Sequence, residues 1–587
     1  MSNRTTNILA TILLVFLFVI SVFSMMGDSL TFDEKAHLPA GYSYVKKLDM
    51  RLNPEHPPII KSLSGIPLLF MDNINFPSDS PSWQEKVNGQ WSFGNEFLYE
   101  SNNPAEKMIF WGRFPMVLVL LLLGYYIFKV TRELFGNKAG IISLLFFSFS
   151  PTFIAHGRLV TTDIGAALGI FIAIYYFVKM LKNYSTKNLV IAGFALGIAQ
   201  LLKFTSVFLV PFFVIIGLFW WWAREEKLMI IAKRVFIVFV IAFLLIGAVY
   251  QIHIRNYPHE KQISDLQTHQ ELYPLPLASL RATAEPAIRW MAKTPYFRQY
   301  AYYLTGVSIV TARTGGGNTT YFLGEVSASG WPHYFPFVYL IKLPLAFHLL
   351  TLLALIYGFS RIKKPYFEKT CARFKNWIKN NLFVFTALSF ITIYWLSSLN
   401  SPLNIGVRHL LPIFPLIFTL VAGNTSRWLK DSNLKKYLVG ALILWQVVTV
   451  IKVYPHFISY FNELVGGPSQ GYKYTIGSNV DWGQDLIRLK EWTEKENIDT
   501  IYIDYFGGSS IDYHFSEEKL ERWWGSRDPK ELPDNSYLAI SVTFLKQGQG
   551  KATPDYDGET GYYRWLEKYD PIKKIGHSIF VYKIDKK

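Results

Sequence analysis

Long apolar runs, separated by short polar connections, dominate the first 454 residues of this chain. Roughly 20 residues of helix cross a bilayer, and eleven of these runs approach that length. The pairs 138–181 and 188–222 can also be divided differently. The pattern predicts a mainly α, polytopic membrane protein whose spans are 7–26, 109–130, 138–156, 161–181, 188–202, 205–222, 231–250, 336–358, 382–398, 407–424 and 437–454.

The first apolar run, Ile8 to Met26, has two interpretations. A signal peptide would end at a small-residue cleavage site, and this run has none. A polar motif with several carboxylates follows it directly, beginning at Thr31. We therefore expect a retained first transmembrane helix.

Three polar regions interrupt or follow the spans. The intervals 27–108 and 251–335 are predicted loops, and the tail 455–587 has strand-like runs at 500–505, 537–542 and 578–584. A helical pattern over 483–496 precedes those runs, and the mixture predicts a small α/β domain. The expected organisation is a transmembrane domain over 1–454 and an external α/β domain over 455–587.

Composition agrees with a membrane protein and excludes other classes. The chain is 51% hydrophobic and only 17% charged, which is too apolar for a soluble protein of this length. The single cysteine, Cys371, excludes a disulfide framework and a cysteine-based metal site. The net charge of +16 does not indicate a nucleic-acid partner, because no basic-aromatic recognition module is present.

The basic residues also predict the orientation of the chain. They concentrate in alternate short connections, most densely in 361–380, whereas the opposite connections contain few. Because cytoplasmic loops carry the excess of Lys and Arg, the N-terminus is expected to be cytoplasmic. The two long loops and the tail would then be external or periplasmic, in a plasma (inner) membrane protein.

Two acidic motifs fall on the same predicted external face. The pair Asp33-Glu34 follows the first span, and Asp163 begins the fourth. Charge at a membrane surface is costly, so such acids are candidates for function. We predict Asp33, Glu34 and Asp163 as catalytic residues, with Asp33 as the general base. For Asp163, a helix N-cap is the alternative interpretation.

Cations on this basic-poor face are candidates for binding a phosphate. Lys203 lies between two apolar runs, Arg408 begins the tenth span, and Arg158 precedes Asp163 by five residues. Arginine can bind phosphate oxygens bidentately, and lysine supplies a point charge. Side chains that snorkel to the interface are the alternative for Lys203 and Arg408.

Glu55 and His56 are the candidate metal ligands. They precede Pro57-Pro58, which restricts the backbone at the start of a helix. Carboxylate and imidazole groups bind divalent cations, but no close ligand spacing such as HExxH accompanies them. A divalent cation is therefore a candidate cofactor rather than a requirement.

These residues resemble the motifs of the family 39 branch of the GT-C glycosyltransferases, which includes protein O-mannosyltransferases. The segment 460–484 is similar to that of bacterial and archaeal members described as phospholipid-carrier-dependent glycosyltransferases. The resemblance extends over about residues 1–485 and rests on Asp33-Glu34, His56-Pro57-Pro58 followed by Lys61, Asp163, Lys203, and GVRHLLPIFP around Arg408.

The resemblance implies a GT-C membrane core, a polyprenyl-phosphate-linked monosaccharide donor and inversion at the anomeric carbon. By the family's pattern Asp33 is the catalytic acid-base residue and Asp163 a second active-site carboxylate. Glu55 matches the metal-ligating glutamate of the related lipid A aminoarabinose transferase. However, Asn53-Pro54-Glu55 precedes His56, where protein O-mannosyltransferases usually have Asp-x-His-Pro-Pro. The interval 251–335 also leaves no room for their β-trefoil domains, which argues against a protein acceptor.

The predicted function is transfer of a monosaccharide from a polyprenyl phosphate to an acceptor hydroxyl at the external face. The acceptor is a lipid, a glycan or a protein, membrane lipids surround the chain, and no nucleotide cofactor is expected. A transferase with an oligosaccharide donor is disfavoured because a Trp-Trp-Asp signature is absent. Two other classes remain: a transporter or flippase for a lipid-linked sugar, and a non-catalytic scaffold in envelope assembly. Transporters often contain repeated halves, and no repeat is evident here.

Overall fold

The computed structural model describes residues 1–362, 370–429 and 432–586. Part of the predicted basic connection 361–380, including Lys363, Lys364 and Lys369, therefore lies outside the described residues. Within the described ranges, eight helices are long and apolar enough to cross a membrane. They are Asn3–Met25, Ala105–Phe135, Asp163–Lys182, Phe204–Arg224, Leu228–His253, Leu382–Leu399, Val407–Trp428 and Asn433–Val453.

Two further predicted spans are bent pairs of helices. Asn137–Ser148 and Pro151–Gly157 meet at 64°, and Tyr334–Lys342 and Leu345–Ser360 meet at 109°. A proline lies at each break, Pro151 and Pro344, and proline supplies no N–H to continue a helix. If each pair is one span, the described residues contain up to ten spans.

The eleventh predicted span, 188–202, is the helix Thr186–Leu202 of 17 residues. This helix is apolar but shorter than the roughly 20 residues that a perpendicular crossing needs. The expectation of about eleven spans is therefore corrected to between eight and ten within the described residues. All eleven predicted runs are nevertheless helical over most of their length.

The interval 27–108 folds into short helices that pack on one another. Gly41 and Gly65 lie where two of these helices cross, and a Cβ on Gly41 would overlap the carbonyl oxygen of Lys61. The backbones can approach this closely only because neither position carries a side chain. The helical segments are Glu34–Lys46, Pro58–Gly65, Pro67–Phe70, Pro81–Gln84, Gln90–Asn95 and Glu96–Glu100.

The interval 251–335 contains three helices and a short hairpin. The helices are His259–Leu272, Ala278–Lys293 and Arg298–Gly316, and the strands Thr320–Phe322 and Glu325–Ser327 pair antiparallel. Strand Glu325–Ser327 also pairs in parallel with Lys551–Ala552, so the hairpin joins this interval to the C-terminal tail.

The tail forms a five-stranded mixed sheet, and three of its strands fall on the predicted strand-like runs. Its strands lie in the spatial order Leu520–Arg522, Ile501–Asp504, Ser536–Ser541, Ile579–Ile584 and Lys573–Ile575. The first three run parallel, and the last two join antiparallel. Apolar side chains fill both faces of this sheet. The tail's α-helices are Leu486–Lys495, Ile511–His514 and Val542–Gln549.

Short helical segments complete the chain. The α-helix Thr370–Asn380 precedes the span that starts at Leu382. Several turns are 3₁₀-helical: Phe204–Phe208, Val407–Ile413, Glu463–Val465, Gly471–Lys473, Gly477–Asn479, Pro529–Glu531 and Arg564–Lys568. The fold is thus mainly α with a small C-terminal α/β part, as predicted. The domain boundary at residue 454 stays a prediction.

Candidate active site

A cavity of about 360 Å³ lies where the first long loop, the starts of several spans and the C-terminal region meet. Four of the predicted site residues line it with charged groups: Asp33, Asp163, Lys203 and Arg408. Glu55 and His56 also line it. Aromatic and hydroxyl side chains complete the wall, among them Phe32, Trp91, Thr162, Ser478, Trp482, Phe506 and Thr543.

Helix ends and breaks position the four charged side chains. Asp163 is the first residue of Asp163–Lys182, and Asp33 immediately precedes Glu34–Lys46. Lys203 has extended backbone between Thr186–Leu202 and Phe204–Phe208. Arg408 lies in the 3₁₀ turn that opens the span Val407–Trp428. The side chains therefore leave the membrane helices at one surface.

The two carboxylates and two cations form a single network. Lys203 Nζ donates to Asp163 Oδ1 at 2.5 Å, and Arg408 Nη1 contacts Asp163 Oδ2 at 3.3 Å. The same Nη1 donates to Asp33 Oδ2 at 2.7 Å. The N-cap of the helix is Thr162, and the Asp163 side chain makes no capping bond. The N-cap interpretation of Asp163 is therefore replaced by ion pairing.

The two acids differ in their access to the cavity. The Asp163 side chain is 1% exposed, whereas that of Asp33 is 23% exposed. Arg408 lies over the indole of Trp482, with its guanidinium carbon 4.3 Å from the ring centroid. Its Nε is buried and has no hydrogen-bond partner among the described residues. Arg408 thus keeps one donor for a further acceptor, and Trp482 serves as its packing surface.

Glu34 points away from the cavity, contrary to the prediction that pairs it with Asp33 in catalysis. Both of its oxygens accept from Arg113, at 2.9 Å and 2.6 Å, and the side chain is fully buried. Burial raises the pKa of Glu34, but the Arg113 charge and hydrogen bonds outweigh it and hold the pKa below its usual value. Glu34 also accepts from the backbone N–H of Val160. Its geometry is that of a positioning residue next to Asp33.

Arg158 is likewise outside the cavity. It pairs with Asp28 at 2.7 Å, and Asp28 pairs in turn with Arg488 of the C-terminal region, also at 2.7 Å. Burial raises the pKa of Asp28, but Arg158 and Arg488 outweigh it, so the pKa lies below its usual value. This cluster joins the first loop to the tail, and a phosphate-binding role for Arg158 has no geometric support.

Glu55 and His56 reach the cavity, but their partners do not form a metal centre. Glu55 forms an ion pair with Arg313 and accepts from Gln90 at 2.9 Å. Burial, followed by the charges of neighbouring groups, lowers the pKa of His56 well below its usual value, which favours neutral imidazole. No group of three metal-ligating side chains occurs among the described residues. The residues present therefore do not fit a three-ligand site, and metal dependence stays a prediction.

Two further residues, His37 in the cavity wall and Lys61 outside it, were not predicted as site residues from the sequence. His37 bonds the carbonyl oxygen of Val160 through Nδ1 at 2.8 Å, and its ring meets that of His56 edge to face. Lys61 Nζ lies within 3 Å of carbonyl oxygens of Asn53 and His56, so it holds the turn that carries Glu55. His37 lies one helical turn after Asp33, and that spacing is the signal that could have revealed it.

The comparisons with known proteins agree with the resemblance found in the sequence. Residues 105–250 match the family model described as dolichyl-phosphate-mannose-protein mannosyltransferase. That segment contains Asp163 and Lys203. No curated protein matches the chain.

Three similar solved structures come from a yeast, an archaeon and a bacterium. The Saccharomyces cerevisiae Pmt1-Pmt2 complex bound to its sugar donor is 19% identical, over 44% of this chain and 34% of that chain, with a TM-score of 0.35. Archaeoglobus fulgidus oligosaccharyltransferase AglB, in complex with an inhibitory peptide and a dolichol-phosphate, is 13% identical over 91% and 69%, with a TM-score of 0.44. Cupriavidus metallidurans ArnT bound to undecaprenyl phosphate is 11% identical over 99% and 98%, with a TM-score of 0.29. The match therefore spans about a third of the yeast chain.

The family-model match covers residues 105–250, about a quarter of the chain, so over that segment the protein is similar to a family of membrane glycosyltransferases. Within that class, the chain is similar to the protein O-mannosyltransferase family over the matched segment, as its sequence motifs indicated.

Proposed function

We propose that this protein transfers a monosaccharide from a polyprenyl phosphate to an acceptor hydroxyl, with inversion, at the external face of the plasma (inner) membrane. The matched family description names a dolichyl-phosphate sugar, and we extend that class of donor to this chain. The distribution of basic residues among the connections supports this orientation, because the positive-inside rule then predicts a cytoplasmic N-terminus and an external C-terminal domain. The acceptor is a lipid, a glycan or a protein.

One observation carries the proposal: two carboxylates and two cations from four distant segments meet in one cavity. Asp33, Asp163, Lys203 and Arg408 lie in the first loop and at three different membrane helices. Glycosyl transfer from a phosphate needs a base for the acceptor and positive charge for the leaving group. This cavity supplies both. A scaffold would have no need for such a cluster.

Lys203 and Arg408 are suited to hold the phosphate. Asp163 is almost fully buried and contacts both cations, so it fixes their positions and compensates part of their charge. Arg408 retains an unpaired Nε donor among the described contacts. Phosphate oxygens would share these donors with the carboxylates, and charge-assisted bonds of this kind are among the stronger hydrogen bonds in proteins.

Asp33 is suited to act as the general base because it is the more exposed of the two acids. The acceptor hydroxyl would transfer its proton to Asp33 while its oxygen attacks the anomeric carbon. The bond from that carbon to the phosphate oxygen would break, and the bonding electrons would leave with the phosphate. A single displacement of this kind inverts the anomeric configuration. No nucleotide is needed, because the cations stabilise the phosphate leaving group.

The test is donor turnover by full-length protein in lipid nanodiscs. Radiolabelled polyprenyl-phosphate monosaccharides are supplied one at a time, with a native membrane extract as the source of acceptors. Wild type is compared with Asp33→Asn and with Asp72→Asn, an exposed acid of the same loop that does not line the cavity. We expect turnover of one donor by wild type and Asp72→Asn, and a loss of about 10²–10⁴-fold in Asp33→Asn.

Each outcome has a defined meaning. Unchanged turnover in properly inserted Asp33→Asn would show that Asp33 is not the base. Absence of turnover with every donor would favour the transporter or the scaffold. A parallel series with a chelator tests the candidate divalent cation, and a loss that added metal restores would establish it.

A further inference from the structure

A second groove, of about 600 Å³, lies on the C-terminal region. Its wall combines aromatic rings with three lysines, Lys473, Lys546 and Lys574. Among the described residues, no carboxylate forms an ion pair with any of the three. The groove takes no part in the chemistry proposed above.

Two of the three lysines, Lys546 and Lys574, lie against aromatic rings, whereas Lys473 is exposed. Lys574 Nζ lies 4.7 Å from the ring centroids of both Tyr472 and Phe580. Lys546 Nζ lies 5.6 Å from the ring of Tyr321 and 5.9 Å from that of Tyr472. Three ammonium groups around a set of tyrosine and phenylalanine rings form a surface that is both cationic and suited to stacking.

The lysines also repel one another. Burial lowers the pKa of Lys574, and the nearby charge of Lys473 lowers it further. Lys546 is affected in the same way, although Glu567 offsets part of the shift in its pKa. An anion in the groove would relieve this repulsion.

Three chain segments contribute residues to both the groove and the active-site cavity. In each of three segments, one residue lines the cavity and a close neighbour lines the groove: Thr320 and Tyr321, Gly477 and Lys473, and Gln547 and Lys546. The walls of the two spaces are therefore built in part from the same three chain segments.

We propose that the groove binds an anionic saccharide. Sugar rings present apolar C–H faces that stack on aromatic side chains, and their carboxylate or phosphate substituents would pair with the lysines. Gln549 and the rim acids Glu567 and Asp570 can bond sugar hydroxyls. If the proposed function is right, on which this extension rests, the bound saccharide belongs to the acceptor, and the acceptor is an anionic glycan or glycolipid.

The test is isothermal titration of full-length protein in nanodiscs of zwitterionic lipid. The probes are trigalacturonate, maltotriose as a neutral trisaccharide, and inorganic phosphate. We expect trigalacturonate to bind more tightly than either of the others. Lys473→Gln and Lys574→Gln should each weaken its binding by about tenfold, which is the effect of losing one charge-assisted contact. Tyr472→Ala should weaken the binding of both trisaccharides, because both would lose a stacking surface.

Lys573→Gln is the matched control, because Lys573 is adjacent to Lys574 on the same strand and does not line the groove. Its affinity for trigalacturonate should stay within about twofold of wild type. Equal affinities in wild type and in the Lys473 and Lys574 variants would overturn the proposal. Phosphate binding as tight as that of trigalacturonate would do so too, since it would indicate a simple anion site.

Two further arms separate this proposal from its alternatives. If phosphatidylglycerol in the nanodisc displaces trigalacturonate, the groove is a lipid-headgroup site and the saccharide assignment is wrong. The titration is also repeated on Asp33→Asn, where we expect unchanged binding, because Asp33 does not line the groove. Saccharide binding without donor turnover in wild type would reject the proposed function while supporting the groove.

Discussion

Arg408 donates a 2.7 Å hydrogen bond to Asp33 across 375 positions of the sequence. This contact joins the start of a late membrane span to the loop that follows the first span, and it brings the proposed base beside a proposed phosphate-binding cation. The same guanidinium group reaches Asp163 at 3.3 Å. One arginine therefore links two of the three acids that were predicted to be catalytic.

Replacing Arg408 with lysine tests the geometry of this link rather than its charge. A lysine ammonium cannot reproduce the planar fork of donors. We expect kcat/KM for the lipid-linked donor to fall by about 10- to 100-fold, equivalent to one or two lost charge-assisted bonds. Steady-state kinetics over a range of donor concentrations measures this. Arg427→Lys, at the other end of the same span, is the control and should behave as wild type.

Substitution of Glu34 tests whether this residue positions its neighbours or takes part in catalysis. Glu34→Gln leaves Arg113 as an unpaired buried charge, which costs about 3–5 kcal/mol of stability. We expect a lower thermal midpoint in detergent, and a loss of activity that follows the loss of folded protein. Replacing both Glu34 and Arg113 with leucine should recover much of the stability. A fall in kcat with an unchanged thermal midpoint would instead indicate that Glu34 takes part in catalysis.

The pH dependence of stability should contain a contribution from Asp481. Burial raises the pKa of this carboxyl to about 7, above its ordinary value of 3.8. Because the folded state then binds the proton more tightly, the stabilisation is fully present below about pH 4 and is lost as pH rises through 7. The slope is at most about 1.4 kcal/mol per pH unit.

Asp481→Asn should remove this part of the slope. Thermal or chemical denaturation between pH 5 and pH 8 measures the difference between the variant and wild type. Asp499→Asn, at an exposed position, is the control and should keep the wild-type slope. Identical slopes for wild type and Asp481→Asn would contradict the prediction.

Gly41→Ala tests the close crossing of the two helices beneath the cavity. The new Cβ would overlap the backbone carbonyl of Lys61, so the helices must separate. Lys61 holds the turn that carries Glu55 and His56, and the cavity wall should move with it. We expect a loss of about 1–3 kcal/mol in stability, the usual effect of overpacking, together with reduced donor turnover.

The matched control for this prediction is Gly440→Ala. Gly440 lies within the helix Asn433–Val453, and a Cβ there would contact no atom within 4 Å. Alanine should be neutral or slightly stabilising at that position, because it has the higher helix propensity. Equal effects of the two substitutions would show that the crossing at Gly41 is not tightly packed.

The candidate site illustrates what sequence reasoning can reach. Asp33, Asp163, Lys203 and Arg408 were predicted because charges beside apolar runs are costly and therefore stand out. Glu34 is also an acid next to an apolar run, so the sequence does not distinguish it from Asp33. In the structure, however, its side chain points away from the cavity. The direction of a side chain at the start of a helix depends on what packs around it. Here Glu34 points towards Arg113, with which it forms a buried ion pair.

For the spans and the sheet too, the sequence predicted the elements, and the structure decided how they are arranged. Runs of apolar residues located every predicted helix, because burying apolar surface in the bilayer or the core dominates over local detail. The two bends and the short helix Thr186–Leu202 changed only the count of spans. In the tail, the sequence predicted three strand-like runs, but which strands pair with one another was known only from the structure.

By itself, the sequence determined the class of the protein: a multi-pass helical membrane domain, a small α/β tail, and acids and cations at one surface. Those conclusions depend on composition and on periodicity, which are local properties of the chain. Only the tertiary structure decided which charges meet. Asp163 joins Lys203 and Arg408, Arg158 joins Asp28, and a groove with three lysines shares chain segments with the cavity. Electrostatic energy depends on distances of a few ångströms between residues far apart in sequence, and folding alone sets those distances.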